Sequence, residues 1–209
     1  MKCCRQDGLI LKPSKPLTMI DLAISDWAIH KSIIQGELYS TKTIINNQIF
    51  SFIFASSMKR NYSLIPSMIG SSPNGIIWSY DNPYEIFYFN EKNSLFISNK
   101  ICNSTSFCLW YSSPIWIFND SLSTQYSFMG EINKWTFISQ QRFSSLTFNS
   151  QNTQMTILVQ GVNNESAEIL VYHSKFQSII HLICHLSNNY LQAQLTINST
   201  HVICSLKQN

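Results

Sequence analysis

Glycoside hydrolysis needs two carboxyl groups at a defined separation, one protonated and one ionised or nucleophilic. The eleven acidic residues of this 209-residue chain are Asp7, Asp21, Asp26, Glu37, Asp81, Glu85, Glu91, Asp120, Glu131, Glu165 and Glu168, and they are scattered singly. Most stand beside Asn, Ser, Gly or Pro, where a turn or strand end accounts for them. No catalytic pair is expected among them. His181, Cys184 and His185 in HLICH, with His173 nearby, have metal-ligand chemistry. On a strand, however, His181 and His185 share one face and Cys184 points to the other, so the three do not converge. No metal site and no cofactor are expected. No Ser-centred elbow, P-loop or dinucleotide-binding glycine pattern is present, and six glycines leave little for a phosphate cradle. What remains is aromatic. Trp78, Trp110, Trp116 and Trp135 lie in strand-like runs, and an aromatic face can pack on the apolar face of a pyranose. Core packing is the commoner fate of such rings. Trp78, Trp110 and Trp135 stand as the candidate sugar contacts.

The six cysteines are Cys3, Cys4, Cys102, Cys108, Cys184 and Cys204. They form no CxxC pair and no short-spaced disulfide framework, which speaks against a zinc site or cystine scaffold. Cys108, Cys184 and Cys204 sit in apolar runs, where a thiol behaves as a small buried hydrophobe. The expectation is reduced core cysteines in a cytoplasmic protein. Five Asn-x-Ser/Thr sequons begin at Asn61, Asn103, Asn119, Asn164 and Asn198; Asn, Ser and Thr are abundant enough for chance to supply most of them. Secretion is the alternative they keep open.

The chain is 44% hydrophobic and 13% aromatic but only 12% charged, against about 25% charged for ordinary soluble domains. Such a surface is suited to cover by another domain, a partner or carbohydrate, although AT-rich codon bias produces the same skew. A formal charge of +3 without clustered Lys and Arg excludes a nucleic-acid footprint. The N-terminal MKCCRQDG has no apolar run behind it, so no signal peptide is read there. The longest apolar runs, FSFIFA and IIHLIC, fall far short of a membrane span.

The elements that must position the aromatics are strands. Leu9 to Lys12 follows an Asp-Gly turn and is closed by Pro13 and Pro16, and Met19 to His30 has a helical spacing of Ile20, Ile24 and Trp27. From Gly36 onward, short β-branched and aromatic runs alternate with Asn, Asp, Ser, Pro and Gly breaks. GIIWSY and EIFYFN are joined by the turn Asp81-Asn82-Pro83. TIINNQIFSFIFAS reads as one run, Gly130 breaks YSFMGEINKWTFIS, and Gly161-Val162-Asn163-Asn164 looks like a hairpin turn between QMTILVQ and AEILVYH. Runs of about ten residues with period-2 stretches predict an all-β fold, an antiparallel β-sandwich over residues 31–209, with a short N-terminal extension over 1–30.

In order and pattern the chain resembles the C-terminal part of raffinose synthase and alkaline α-galactosidase-like enzymes. There the end of a catalytic (β/α)₈ barrel, with a Pro-Asp-Gly, a short strand, a Pro-Thr step and an Asp, leads into a terminal β-sandwich. Asp7-Gly8, Leu9 to Lys12, Pro16, Thr18 and Asp21 stand in that order here. Tyr84 to Ser98 matches a hairpin, Ser113-Pro114 a Ser-Pro step, and Thr156 to Lys175 a closing hairpin. Gly36 to Ser57 lacks the family's Trp-Asn and Phe-Asn-Gln-Gly signatures. The resemblance implies that catalytic carboxylates belong to an upstream barrel domain, so none carries over. It places Asp21 near a substrate mouth. The expected function is a non-catalytic sandwich bracing that barrel; a stand-alone carbohydrate-binding or protein-interaction sandwich is the alternative.

Overall fold

A computed structural model describes residues 28–31, 37–103, 105–119, 123–162, 164–174, 176–186, 192–198 and 201–206. Its strands are β1 (Ala28–Lys31), β2 (Glu37–Ile45), β3 (Gln48–Ser56), β4 (Tyr62–Leu64), β5 (Asn74–Ser79), β6 (Ile86–Asn90), β7 (Leu95–Ile97) and β8 (Phe107–Pro114). The second half supplies β9 (Trp116–Ile117), β10 (Gln125–Glu131), β11 (Phe143–Phe148), β12 (Gln154–Gln160), β13 (Glu165–His173), β14 (Ser178–Leu186), β15 (Gln192–Asn198) and β16 (Val202–Leu206). One helical turn, α1 (Pro66–Ile69), begins on a proline and ends on Gly70 at φ 61°, a left-handed cap. The fold is all-β and sandwich-like, as the alternation predicts. The resemblance to a barrel end falls on residues 1–27, which lie outside the described residues, as does most of the expected helix. The last residues of that expected helix, from Ala28, belong to β1, which pairs with β2 and straddles residue 30.

A six-stranded sheet runs β1-β2-β3-β8-β5-β6, two four-stranded sheets run β14-β13-β10-β9 and β11-β12-β15-β16, and β4 and β7 form a ribbon. Because side chains alternate across a strand, the six-stranded sheet serves two cores. Phe50, Phe52, Ile76, Trp78, Leu109 and Tyr111 face the larger one, packed against the two four-stranded sheets. There Phe50 meets Trp116, Phe128 and Phe137 edge-on at centroid distances of 6.2 to 6.4 Å. Leu38, Ile53, Ala55, Ile77 and Cys108 face a smaller core closed by the ribbon and α1.

Three local readings change. TIINNQIFSFIFAS is two strands, because Asn46 and Asn47 take φ of 47° and 66° and join β2 to β3 in a two-residue turn of the kind that favours Asn. Gly130 is a bulge within β10, not a break: pairing with β13 shifts between Phe128 and Gly130. Gly161 to Asn164 is not a hairpin, because β12 pairs with β11 and β15 while β13 pairs with β10 and β14. The segment carries the chain from one sheet to the other.

The cysteines are the largest correction. Cys102 is bonded to Cys108 and Cys184 to Cys204, each with Cα atoms 5.4 Å apart, within the ordinary disulfide range. Cys184 lies on β14 and Cys204 on β16, so the second bond joins two different sheets. Sequence spacing cannot show that adjacency.

Candidate functional site

The pleat aligns one aromatic face of the six-stranded sheet. Ile77 pairs with Phe87 and Ser79 with Trp110, so these residues share a face, with Glu85 two positions from Phe87 on the same side. Lys92, Asn93, Ser94, Leu95 and Phe96 wall off this floor and leave a groove of about 700 Å³. Phe87 and Phe96 are 55% and 60% exposed, and Trp110 is half-buried between them and the smaller core.

The lip of the groove is fixed by its own turn chemistry. Asn90 Oδ1 accepts the backbone N–H groups of Lys92 and Asn93 at 2.9 Å each, an arrangement that short Asn side chains favour. Glu91 accepts from the Ser67 N–H and hydroxyl at 3.1 and 3.2 Å, which ties this turn to α1. The other end, between β5 and β6, is held by Ser79 Oγ accepting from the Asn82 N–H at 3.1 Å.

A second groove, of about 560 Å³, lies over the larger core and is lined by Trp78, Tyr84, Glu131, Lys134, Glu168 and His181 among others. Beside it Trp135 stacks on Tyr80, centroids 4.3 Å apart at 11°, and Tyr111 Oη donates to the Trp135 carbonyl at 3.0 Å. Glu168 and His181 approach to 3.6 Å at the surface. Glu131 is engaged with Arg142, whose Nε donates to it at 2.9 Å. The same guanidinium donates to both oxygens of Glu165 and to the Gln160 carbonyl. Those bonds hold the Glu165 carboxyl down at about 2, against an ordinary 4.5, and raise Arg142 in turn. At the other end of β13, burial first and a hydrogen bond with Tyr88 second push Tyr172 up to about 12.

Trp78 is buried in the larger core, its edge reaching the second groove. Trp110 lines the first groove, and Trp135 belongs to the stack beside the second. Asp21 lies outside the described residues. The structure therefore does not bring the three tryptophans together. His181 and His185 are exposed on one face of β14 while Cys184 is buried on the other, as the period predicts. Among the described residues no group of three or more His, Cys, Asp or Glu is placed to hold a metal, and no helix is long and apolar enough to cross a membrane. Phe87 and Phe96 went unread as site residues. For Phe96 the signal is alternation, since Leu95 and Ile97 on either side are buried. Phe87 shares the face of buried Phe89 and is exposed because nothing covers that end of β6, which the period does not reveal.

No family model, curated protein or solved structure matches this chain.

Proposed function

We propose that this chain is a non-catalytic β-sandwich that binds carbohydrate in the groove formed by β5, β6, β7 and β8. The observation that carries this reading is the meeting of Trp110, Phe87 and Phe96 on one groove with Glu85, Lys92 and Asn93 at its edge. A sugar presents apolar C–H faces to rings and hydroxyls to donors and acceptors, and this lining offers both. The volume is within the range of small-molecule sites. Two disulfides support an oxidising compartment, and so the secreted alternative over a cytoplasmic one.

The same exposed rings support a second reading, in which an adjoining catalytic barrel covers this face and the sandwich braces it. A chain with so few charges and an apolar patch is suited to such cover. The two separate on one experiment with the full chain. Retention on immobilised galactosides and a panel of oligosaccharides is expected, and Phe87→Ala and Phe96→Ala should each weaken it. A ring is expected to contribute ~1 kcal/mol, about fivefold in Kd. Both side chains are exposed, so the folded state, followed by circular dichroism, should survive. Retention indifferent to both substitutions would remove the groove from consideration. No retention, with self-association relieved by the same two changes, would favour the bracing role.

A further inference from the structure

We infer that Asn61 and Asn164 carry N-linked glycans and that Asn103 does not. The inference shares only the secreted compartment with the carbohydrate-binding reading. It begins from the two disulfides, which place the chain where an oligosaccharide-transferring enzyme would meet its sequons.

The structure separates three of the five sequons. In Asn61-Tyr62-Ser63, Asn61 and Ser63 are exposed. Asn61 uses its oxygen to accept the Asn99 N–H at 3.1 Å, so the carboxamide nitrogen is not the atom that secures the turn. In Asn164-Glu165-Ser166, Asn164 is exposed at φ 63° on the crossing between sheets. Its backbone N–H donates to the Leu186 carbonyl at 2.7 Å, and the sequon hydroxyl, Ser166 Oγ, lies 2.8 Å from His185 Nδ1 on exposed β14, so among the described residues the carboxamide itself closes no turn. Val162, two residues away, is 68% exposed, an apolar side chain that an attached glycan would shield.

Asn103 is used differently. It is half-buried beside the Cys102–Cys108 bond. Its Nδ2 donates to the Lys100 carbonyl at 3.0 Å, and its Oδ1 accepts from the Thr105 N–H, the Thr105 hydroxyl and the Ser106 N–H. One Nδ2 hydrogen and the amide oxygen are thus fixed in the cap that closes the disulfide loop. A glycan on the remaining Nδ2 hydrogen would have to be accommodated at a half-buried carboxamide held against that loop, so the folded, oxidised chain is expected to carry none.

The reaction is a group transfer without oxidation. A bond forms between the carboxamide Nδ2 and the anomeric carbon of a lipid-pyrophosphate-linked oligosaccharide. The anomeric C–O bond to the pyrophosphate breaks, the lipid pyrophosphate leaves, and a base of the transferase takes the Nδ2 proton. Neither site obstructs the aromatic groove. Asn61 precedes the β4 end that pairs with Ile97, away from Leu95, and Asn164 belongs to the sheets packed on the opposite face of the six-stranded sheet.

The test is to express the full chain behind a cleavable secretory leader in eukaryotic cells. The secreted, disulfide-bonded product is then treated with an amide-cleaving endoglycosidase in isotopically heavy water, and its peptides are mapped by mass. Heavy aspartate is expected at positions 61 and 164, with Asn103 recovered as asparagine. Asn61→Gln and Asn164→Gln should each remove one glycan from the intact mass. Asparagine recovered at 61 or 164 overturns the assignment of that residue, and heavy aspartate at 103 overturns the argument from the cap. Sugar binding is not part of the readout, so failure here and failure of the groove are distinguishable.

Discussion

At the scale of single residues, the group most tightly built into the molecule is Arg142. Its side chain is 15% exposed and joins Glu131 on β10 to Glu165 on β13, while Glu131 is only 7% exposed. Removing one partner of a buried pair leaves the other charge uncompensated, at a cost of roughly 3 kcal/mol. Arg142→Met should therefore lower the free energy of unfolding by about that amount, read as a lower urea midpoint, and an unchanged midpoint would mean the pair is idle. The pH dependence follows from Glu165. Its carboxyl is depressed in the fold, so its contribution is fully present above the unfolded value near 4.5 and is lost as pH falls toward about 2. Stability of the native chain should decline over that window, and Glu165→Gln should flatten the decline. Little of this was legible beforehand: Arg142 and Glu165 are 23 positions apart, and nothing in their neighbours marks a partner. By contrast, the inward Cys184 between outward His181 and His185 follows from period 2 alone.

At the scale of elements, strand composition carried most of the information, and turn chemistry set the errors. β5 and β6 were readable because Asp81-Asn82-Pro83 has the residues a turn needs, and β12 because QMTILVQ alternates without interruption. The β2–β3 turn had its own signal, because Asn46, Asn47 and Gln48 interrupt the apolar residues between Ile45 and Ile49 and Asn tolerates positive φ; strand composition on both sides outweighed it. In the sequence Gly130 reads as a strand break, whereas in the fold it sits in a bulge within β10. It takes φ 79°, and a Cβ there would run into the Phe137 carbonyl oxygen, so the glycine permits a bulge and a close backbone approach. The consequence is measurable. Gly130→Ala must either strain the backbone or push Phe137 out of the aromatic cluster it shares with Phe52, Trp78 and Tyr111. A loss of about 2–3 kcal/mol is expected by denaturant titration. Full stability would show that the bulge can rearrange and that the register of β10 is not fixed by this glycine.

At the scale of the whole molecule, the two cores differ in what holds them. The larger draws side chains from both four-stranded sheets and the six-stranded one, and Cys184–Cys204 ties β14 to β16 across two of them. A loop of that length is worth about 3 kcal/mol against the open chain, so the Cys184→Ser, Cys204→Ser double variant should melt earlier by a corresponding amount. The smaller core is closed by a ribbon of two three-residue strands and one helical turn. Its outer loop is fastened by Cys102–Cys108 and by bonds from the Ser57 and Met58 N–H groups to the Asn103 and Cys102 carbonyls, at 2.9 and 2.8 Å. A region with so few buried contacts opens at lower free energy than the body it rests on. Native-state hydrogen exchange should therefore resolve two classes of amide. Those of β4 and β7 exchange through local opening, while those of β3, β8 and β12 exchange only with global unfolding. Replacing Cys102 and Cys108 by serine removes a constraint of about 2 kcal/mol, which should speed the ribbon amides roughly thirtyfold; global unfolding frees the same loop, so the β12 amides should speed by a similar factor while remaining the slower class. Because β7 supplies Leu95 and Phe96 to the aromatic groove, the same variant should bind oligosaccharide more weakly even under conditions where it is fully folded, and its global midpoint should fall in keeping with the lost constraint. Equal exchange free energies in ribbon and core would instead make the molecule one cooperative unit and remove the mechanical link between this disulfide and the groove.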